Sequence, residues 1–158
     1  MQIREYNPAT DNTGLHHCVE VLQDFEREIL PSMPKGADIS AAYVEDMFDQ
    51  CKKYDGTVLV AVEQSGVIGY ATIYRRMTSD DVEDGDQEYA YIGDLLVLDA
   101  YRGHGYGRQL MQNAEAIAKQ SGASVLRIGV LTDNTDAVSL YKSLDFKPLS
   151  LQLEKDLS

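Results

Sequence analysis

Residues 92–111 read IGDLLVLDAYRGHGYGRQLM, and the fold turns on this stretch. It leaves a strand that is apolar on both faces, crosses a turn holding Gly103, Gly105 and Gly107, and enters a helical pattern. Continuous apolarity suits a strand in the middle of a sheet. From Ala100 to Ala114 there is no acid at all, although 26 of 158 residues are Asp or Glu. Arg102, His104 and Arg108 stand among the glycines. Glycines let a backbone approach a ligand closely, and a helix start offers free N–H groups at the positive end of a dipole. The combination describes an anion site, with an ordinary strand-to-helix turn carrying surface arginines as its alternative.

Two common anion loops fit poorly. The dinucleotide pattern G-x-G-x-x-G has a different rhythm and belongs to a parallel sheet that continues on both sides. Here too little chain follows residue 95 for such a sheet. A phosphate loop ends in Gly-Lys-Ser/Thr, which this turn lacks.

Outward from the turn, alternation over residues 2–6 predicts a short strand stopped at Asn7-Pro8. A helix is expected from about Asp11 to Leu30, on the stripe Leu15, Val19, Leu22, Phe25 and Ile29. Ser40 is the expected cap of a second helix burying Val44, Met47, Phe48 and Cys51. TVLVAVEQ and VIGYATIYRR flank Ser65-Gly66 and predict a hairpin. The central strand covers YAYIGDLLVL, residues 89–98, and its helix runs to about Gln120, with Gly122 at the expected left-handed cap. SVLRIGVL, residues 124–131, reads as a buried strand. Asn134 is the cap of a last short helix with Ala137, Leu140, Tyr141 and Leu144 on one face, and a final strand is expected over Leu149–Glu154. The order βααβββαβαβ predicts one α/β domain over residues 1–158, without repeats or linkers.

Composition narrows the function. Fourteen Lys and Arg against 26 acids give a net charge of −12. That balance argues against nucleic acid and against an anionic membrane surface; it would draw a cationic substrate, with plain solubility as the alternative role of the charge. With no apolar run near 18 residues, no basic-then-apolar start and only two cysteines, the expected setting is cytoplasmic and reducing. His16-His17-Cys18 does not make a metal site, because neighbours on a helix point about 100° apart; no metal is expected. Cys18 and Cys51 read as half-buried apolar residues.

The stretch 92–111, centred on Arg102-x-x-Gly105-x-Gly107, resembles the acyl-CoA motif of the GNAT superfamily of N-acetyltransferases. Asn134, Ala137 and LYKSLDFKP resemble that family's C-terminal motif, and the element order matches across nearly the whole chain. Asp145 stands where Gly is common, and Asp tolerates the left-handed conformation better than most residues. The resemblance implies a mixed central sheet with a splayed strand pair and about four flanking helices. It implies acetyl-CoA as acyl donor, its pantetheine amides paired with the backbone of Leu95, Leu96 and Val97, with the Val97 N–H as oxyanion donor. The backbone of Arg102, Gly103, His104, Gly105, Tyr106, Gly107 and Arg108 would hold the pyrophosphate, Asn134 would touch the cofactor, and Tyr141 would lie near its sulfur. It also leaves room for a homodimer.

The chemistry demands a base, since an amine of pKa ~10.4 is only about 0.04% neutral at pH 7. Asp94, which interrupts an apolar strand, and Glu88 are the candidates, each able to work through a water; a structural hydrogen bond is the alternative for Asp94 and plain exposure for Glu88. Tyr141 is the candidate donor to the leaving thiolate, although its spacing also fits a core stripe. Asp80, Asp81, Glu83, Asp84, Asp86 and Glu88 supply half of the net charge. They form either a solvated loop or a lure for a cationic amine. The expected function is transfer of an acetyl group from acetyl-CoA to a primary amine by direct attack, since no cysteine lies in either motif. The alternative is a non-catalytic acyl-CoA-binding sensor.

Overall fold

The computed structural model describes residues 1–158. In chain order the elements are β1 (Gln2–Glu5), α1 (Pro8–Ile29), α2 (Gly36–Lys53), β2 (Gly56–Glu63), β3 (Gly66–Thr78), β4 (Glu88–Val97), α3 (Tyr106–Gln120), β5 (Leu126–Ile128) and α4 (Thr135–Ser143), with short 3-10 turns at Val82–Asp84 and Asp99–Tyr101. The sheet runs β1-β2-β3-β4-β5. Its first four strands are antiparallel, and β5 is parallel to β4. This is the mixed α/β architecture that the element order predicts.

Strand alternation splits the core into two layers. Val58, Val60, Tyr70 and Leu96 pack with Leu15, Cys18, Val19, Val44 and Met47 of α1 and α2. Leu59, Ala61, Ala71, Ile73 and Ile92 pack on the other side with Leu110, Met111, Ala114 and Ala118 of α3 and Tyr141 of α4. Each fully buried Leu, Ile or Met side chain contributes about 1.5–3 kcal/mol by leaving water.

Two helices start earlier than expected. Pro8 occupies the first turn of α1, where its missing N–H costs nothing, and the Asn7 side chain accepts from the Ala9 N–H at 3.0 Å. For α2, the cap comes from another helix: Asp24 Oδ1 accepts from the Gly36 N–H at 2.7 Å. Ser40 lies inside α2 and donates to Glu20 Oε1 at 3.0 Å, so it is not the cap. Arg4 pairs in bidentate fashion with the buried Asp11 at 2.6 and 2.9 Å, tying β1 to α1.

The C-terminal third departs most from the expected order. β5 keeps only three residues of the expected 124–131. No strand forms over 149–154, and none of the backbone hydrogen bonds reaches past Phe146. Leu149, Leu151 and Leu153 are 71, 65 and 83% exposed. Alternation states which face is apolar and not which strand lies alongside, and the segment pairs with neither edge strand, β1 or β5. Asp145 does adopt the left-handed conformation, at φ 66°.

Candidate active site

The site begins where β4 and β5 part. Their pairing ends at Ile92↔Ile128, whereas β4 continues to Val97. Residues 93–97 therefore keep an unpaired edge on the β5 side, the splay expected of this strand pair. Against that edge lies a cleft of about 300 Å³, walled by Leu95, Leu96, Val97, the turn into α3, Asn134, Asp136 and Leu140, and roofed by Leu22 and Phe25 of α1.

Gly103 and Gly105 both stand at φ 79°, where a side chain would be strained. Gly105 caps α3, and no acid occupies the first turn. The N–H groups of Tyr106, Gly107 and Arg108 thus open toward the cleft at the positive end of the helix. Arg102 does not project as a free cation. Its Nε donates to the Val97 carbonyl at 3.0 Å, it pairs with Asp99 at 3.0 Å, and its guanidinium stands 5.3 Å from the Phe25 ring centre. It locks the turn to the end of β4 and forms part of the wall. Arg108 donates to Ser143 Oγ at 2.7 Å, joining α3 to α4.

Of the residues expected at the cofactor, Leu95, Leu96, Val97, Arg102, Gly103, Gly105, Tyr106, Gly107, Arg108 and Asn134 line the cleft together. His104 stands outside it, exposed and stacked on Tyr106, with Nδ1 donating to the Arg102 carbonyl at 2.9 Å. Asn134 has a second task, accepting from the Ala137 N–H to cap α4. Tyr141 and Asp94 are also not among the lining residues; Tyr141 is 8% exposed and packs in the α3-side core, 6.0 Å from the Phe146 ring. Burial, with the charges of Glu26 and Asp94, pushes its phenol up to about 12.

A bulge sets the position of Asp94. The β3–β4 register shifts between Ala71 and Ile73, so Ala90 and Ile92 face α3 while Asp94 and Leu96 face α1 and α2. Gly93 makes the turn of face feasible, because a Cβ there would fall 2.6 Å from Thr72 Oγ1. Asp94 is 7% exposed. Its Oδ1 accepts from the Tyr43 hydroxyl at 2.7 Å, and its N–H donates to Thr72 Oγ1 at 2.8 Å. Burial lifts its carboxyl to about 6, against the opposing pull of the Tyr43 and Thr72 hydroxyls. Glu26 of α1, half-buried, is raised by burial and by the charge of Asp94.

Glu88 is apart from these groups. It is exposed at the start of β4, six residues or about 20 Å from Asp94, next to Arg75, Arg76 and Tyr89. Sequence reading missed Tyr43, Glu26, Tyr70 and Thr72. Only Thr72 left a signal, as a polar residue within the apolar run YATIY. Cys18, Cys51 and the histidines of α1 are not grouped with enough His, Cys or carboxylates to hold a metal ion. Both thiols are raised by burial, to about 12 and about 11.

Residues 20–146 match the Acetyltransferase (GNAT) family. The mouse thialysine N-epsilon-acetyltransferase is 33% identical over 87 residues, covering 53% of this chain and 46% of the mouse protein. The yeast (Saccharomyces cerevisiae) N-alpha-acetyltransferase 40 is 29% identical over 107 residues, covering 60% and 38%. The chain thus spans less than half the length of these curated relatives. Among solved structures, a mutant of the BH1408 protein from Bacillus halodurans superposes with a TM-score of 0.76 at 22% identity, covering 100% of both chains. The glucosamine-6-phosphate N-acetyltransferase of Arabidopsis thaliana gives 0.68 at 15%, covering 99% and 98%; both likenesses show the fold. With a family match that takes in the splayed strand, the glycine turn and Tyr141, this chain belongs to the GNAT acetyltransferase family.

Proposed function

We propose that this protein moves an acetyl group from acetyl-CoA to a cationic primary amine by direct attack within a ternary complex. The observation that carries the reading is the meeting, in one cleft, of the unpaired edge of residues 93–97 with the acid-free start of α3. An extended chain of amides needs such an edge, and a pyrophosphate needs such a helix start. In this reading Leu95, Leu96 and Val97 pair with the pantetheine arm, and the backbone from Arg102 to Arg108 receives the phosphates. The donor supplies an activated thioester carbonyl, whose developing charge the Val97 N–H would meet.

Asp94 is the base we favour. With its carboxyl at about 6 it is ionised at neutral pH, yet it is a stronger base than an exposed aspartate. Activity should therefore rise as pH increases through about 6. Tyr141, held as a neutral phenol, is suited to hand a proton to the departing thiolate. Neither cysteine lines the cleft and both are held as thiols, which supports direct attack over an acyl-cysteine route. Glu88 has no part in this scheme beyond the acidic loop to which it belongs.

A cationic acceptor fits the charge around Asp94, where Glu26 adds a second carboxylate and Tyr43 and Tyr74 lie close by. Thialysine, the acceptor in the name of the mouse relative, and polyamines head the panel to try. The test is release of free CoA from acetyl-CoA across that panel. Turnover on cationic amines supports the enzyme, whereas acetyl-CoA binding with no turnover on any amine points to a sensor.

No helix is long and apolar enough to cross a membrane, and both cysteines are free, which supports a cytoplasmic setting. The exposed leucines 149, 151 and 153 beside an unpaired backbone, with β5 at the sheet edge, support a homodimer in which this segment adds to the β5 edge of a second copy. Leu151→Asp should then yield folded monomer by sedimentation.

A further inference from the structure

The buried position of Asp94 raises a question of access. At 7% exposure its carboxyl is closed off, and its surroundings are almost all buried as well. Thr72 and Tyr70 are wholly buried. The Tyr70 hydroxyl is buried with no hydrogen-bond partner of its own. Among the side chains around Asp94, Tyr43 combines a hydrogen bond to the carboxyl, at 2.7 Å, with substantial exposure, 38% for the residue. The phenol oxygen of Tyr43 gives its proton to Asp94 and keeps its lone pairs for a donor arriving from the other side.

We propose that Tyr43 is a catalytic residue of the acceptor site, which takes the proton of the incoming ammonium group and passes its own to Asp94. This rests on the reading of Asp94 as the base. In the step, one N–H bond of the ammonium breaks and its electron pair stays on nitrogen, free to attack the thioester carbonyl. The released proton bonds to the Tyr43 oxygen as the former hydroxyl proton crosses to Asp94 Oδ1. Tyr43 ends as a phenol and Asp94 as a neutral acid. The two transfers must be concerted, because burial and the charge of Asp94 hold Tyr43 far from phenolate.

The groups facing this pair are almost all acidic or neutral. Glu26 comes from α1, Cys51 from α2, and Tyr70, Thr72 and Tyr74 from β3; Asp46 of α2 acts on Tyr74, and Tyr141 lies on the α3 side of the sheet. Arg75 is the nearby cation, and it is engaged by the Asp55 carbonyl at 2.9 Å and by Thr57 at 3.0 Å. An ammonium ion docking on Tyr43 therefore meets no free cation beside it. Its charge is stabilised until the proton leaves.

The experiment compares wild type, Tyr43→Phe and Asp94→Asn by pH–rate profile from pH 5 to 9, by acetyl-CoA affinity and by thermal melting. Tyr43→Phe should lose at least tenfold in kcat at neutral pH with acetyl-CoA affinity nearly unchanged, and its melting should fall above pH 6 only by what the raised Asp94 carboxyl costs. Its acidic limb should move to higher pH, because Asp94 loses a hydrogen bond that favours its charged form. A proton inventory on the wild type, which needs no variant, should curve as two protons move in one step. Full kcat and an unmoved limb in Tyr43→Phe, or a linear inventory, would overturn the relay. If Asp94→Asn is then still impaired, Asp94 remains the base by another route. Full activity in Asp94→Asn would instead remove the base reading itself.

Discussion

The proposed donor and acceptor regions are built from different materials. On the donor side, the β4 edge and the start of α3 present mainly backbone, and the side chains there, Arg102 and Arg108, are spent on holding the turn in place. On the proposed acceptor side, outside the residues that line the cleft, Asp94, Tyr43, Tyr70, Thr72 and Glu26 come from α1, α2, β3 and β4, and the groups on offer are side chains. Backbone recognition depends on a local conformation, so it tolerates sequence change away from its glycines. Side-chain recognition depends on packing between elements and can be retuned one residue at a time.

The sharpest way to break this contrast is Asp94→Asn. Turnover should fall at least a hundredfold while acetyl-CoA affinity stays within about twofold. The same variant carries a stability signature. A folded carboxyl at about 6, above the ordinary range, costs stability when ionised, of the order of 3 kcal/mol at pH 8. That cost fades as pH falls through about 6 and is gone below the unfolded value near 4. Asp94→Asn should therefore melt higher than wild type at pH 8, with the gap closing at pH 4, and calorimetric melts at both pH values check it. A variant that loses acetyl-CoA binding as well would mean that the halves are not separable.

Tyr141→Phe comes next, with at least tenfold loss of turnover and acetyl-CoA affinity nearly intact; an unchanged rate removes Tyr141 from the mechanism. Gly105→Val probes the opposite side. A β-branched residue at φ 79° is strained by roughly 1–3 kcal/mol, so acetyl-CoA affinity should weaken about tenfold or more, with the acceptor KM little changed. The smallest effect is expected from the acidic run. Replacing Asp80, Asp81, Glu83, Asp84, Asp86 and Glu88 by Asn and Gln should raise the KM of a cationic amine severalfold at low salt and flatten its salt dependence. No change would leave the run a solubility feature.

The contrast also explains what could be read from the sequence. The strand, turn and helix start of the proposed donor side were legible because their signals are local: glycines at fixed spacing, an acid-free helix start and an apolar strand before it. Asp145 was legible in the same way, as a residue able to hold the left-handed turn. The acceptor side was half legible. Asp94 stood out against its strand, whereas Tyr43 lies 51 residues earlier on the partly exposed face of α2, with no pattern linking the two. The start of α2 was hidden for a related reason, since its cap is supplied by Asp24 from another helix. Residues 149–154 misled because alternation states which face is apolar and says nothing of the strand that must lie beside it.

The central claim is that the β4 edge and the start of α3 form an acetyl-CoA site. Calorimetric titration of the purified protein with acetyl-CoA, with ATP and NAD as controls, tests it most directly. The account predicts selective binding with a Kd in the micromolar range, retained in Asp94→Asn and weakened in Gly105→Val. Folded, ligand-free protein that does not bind acetyl-CoA, or that binds ATP or NAD equally well, would contradict it.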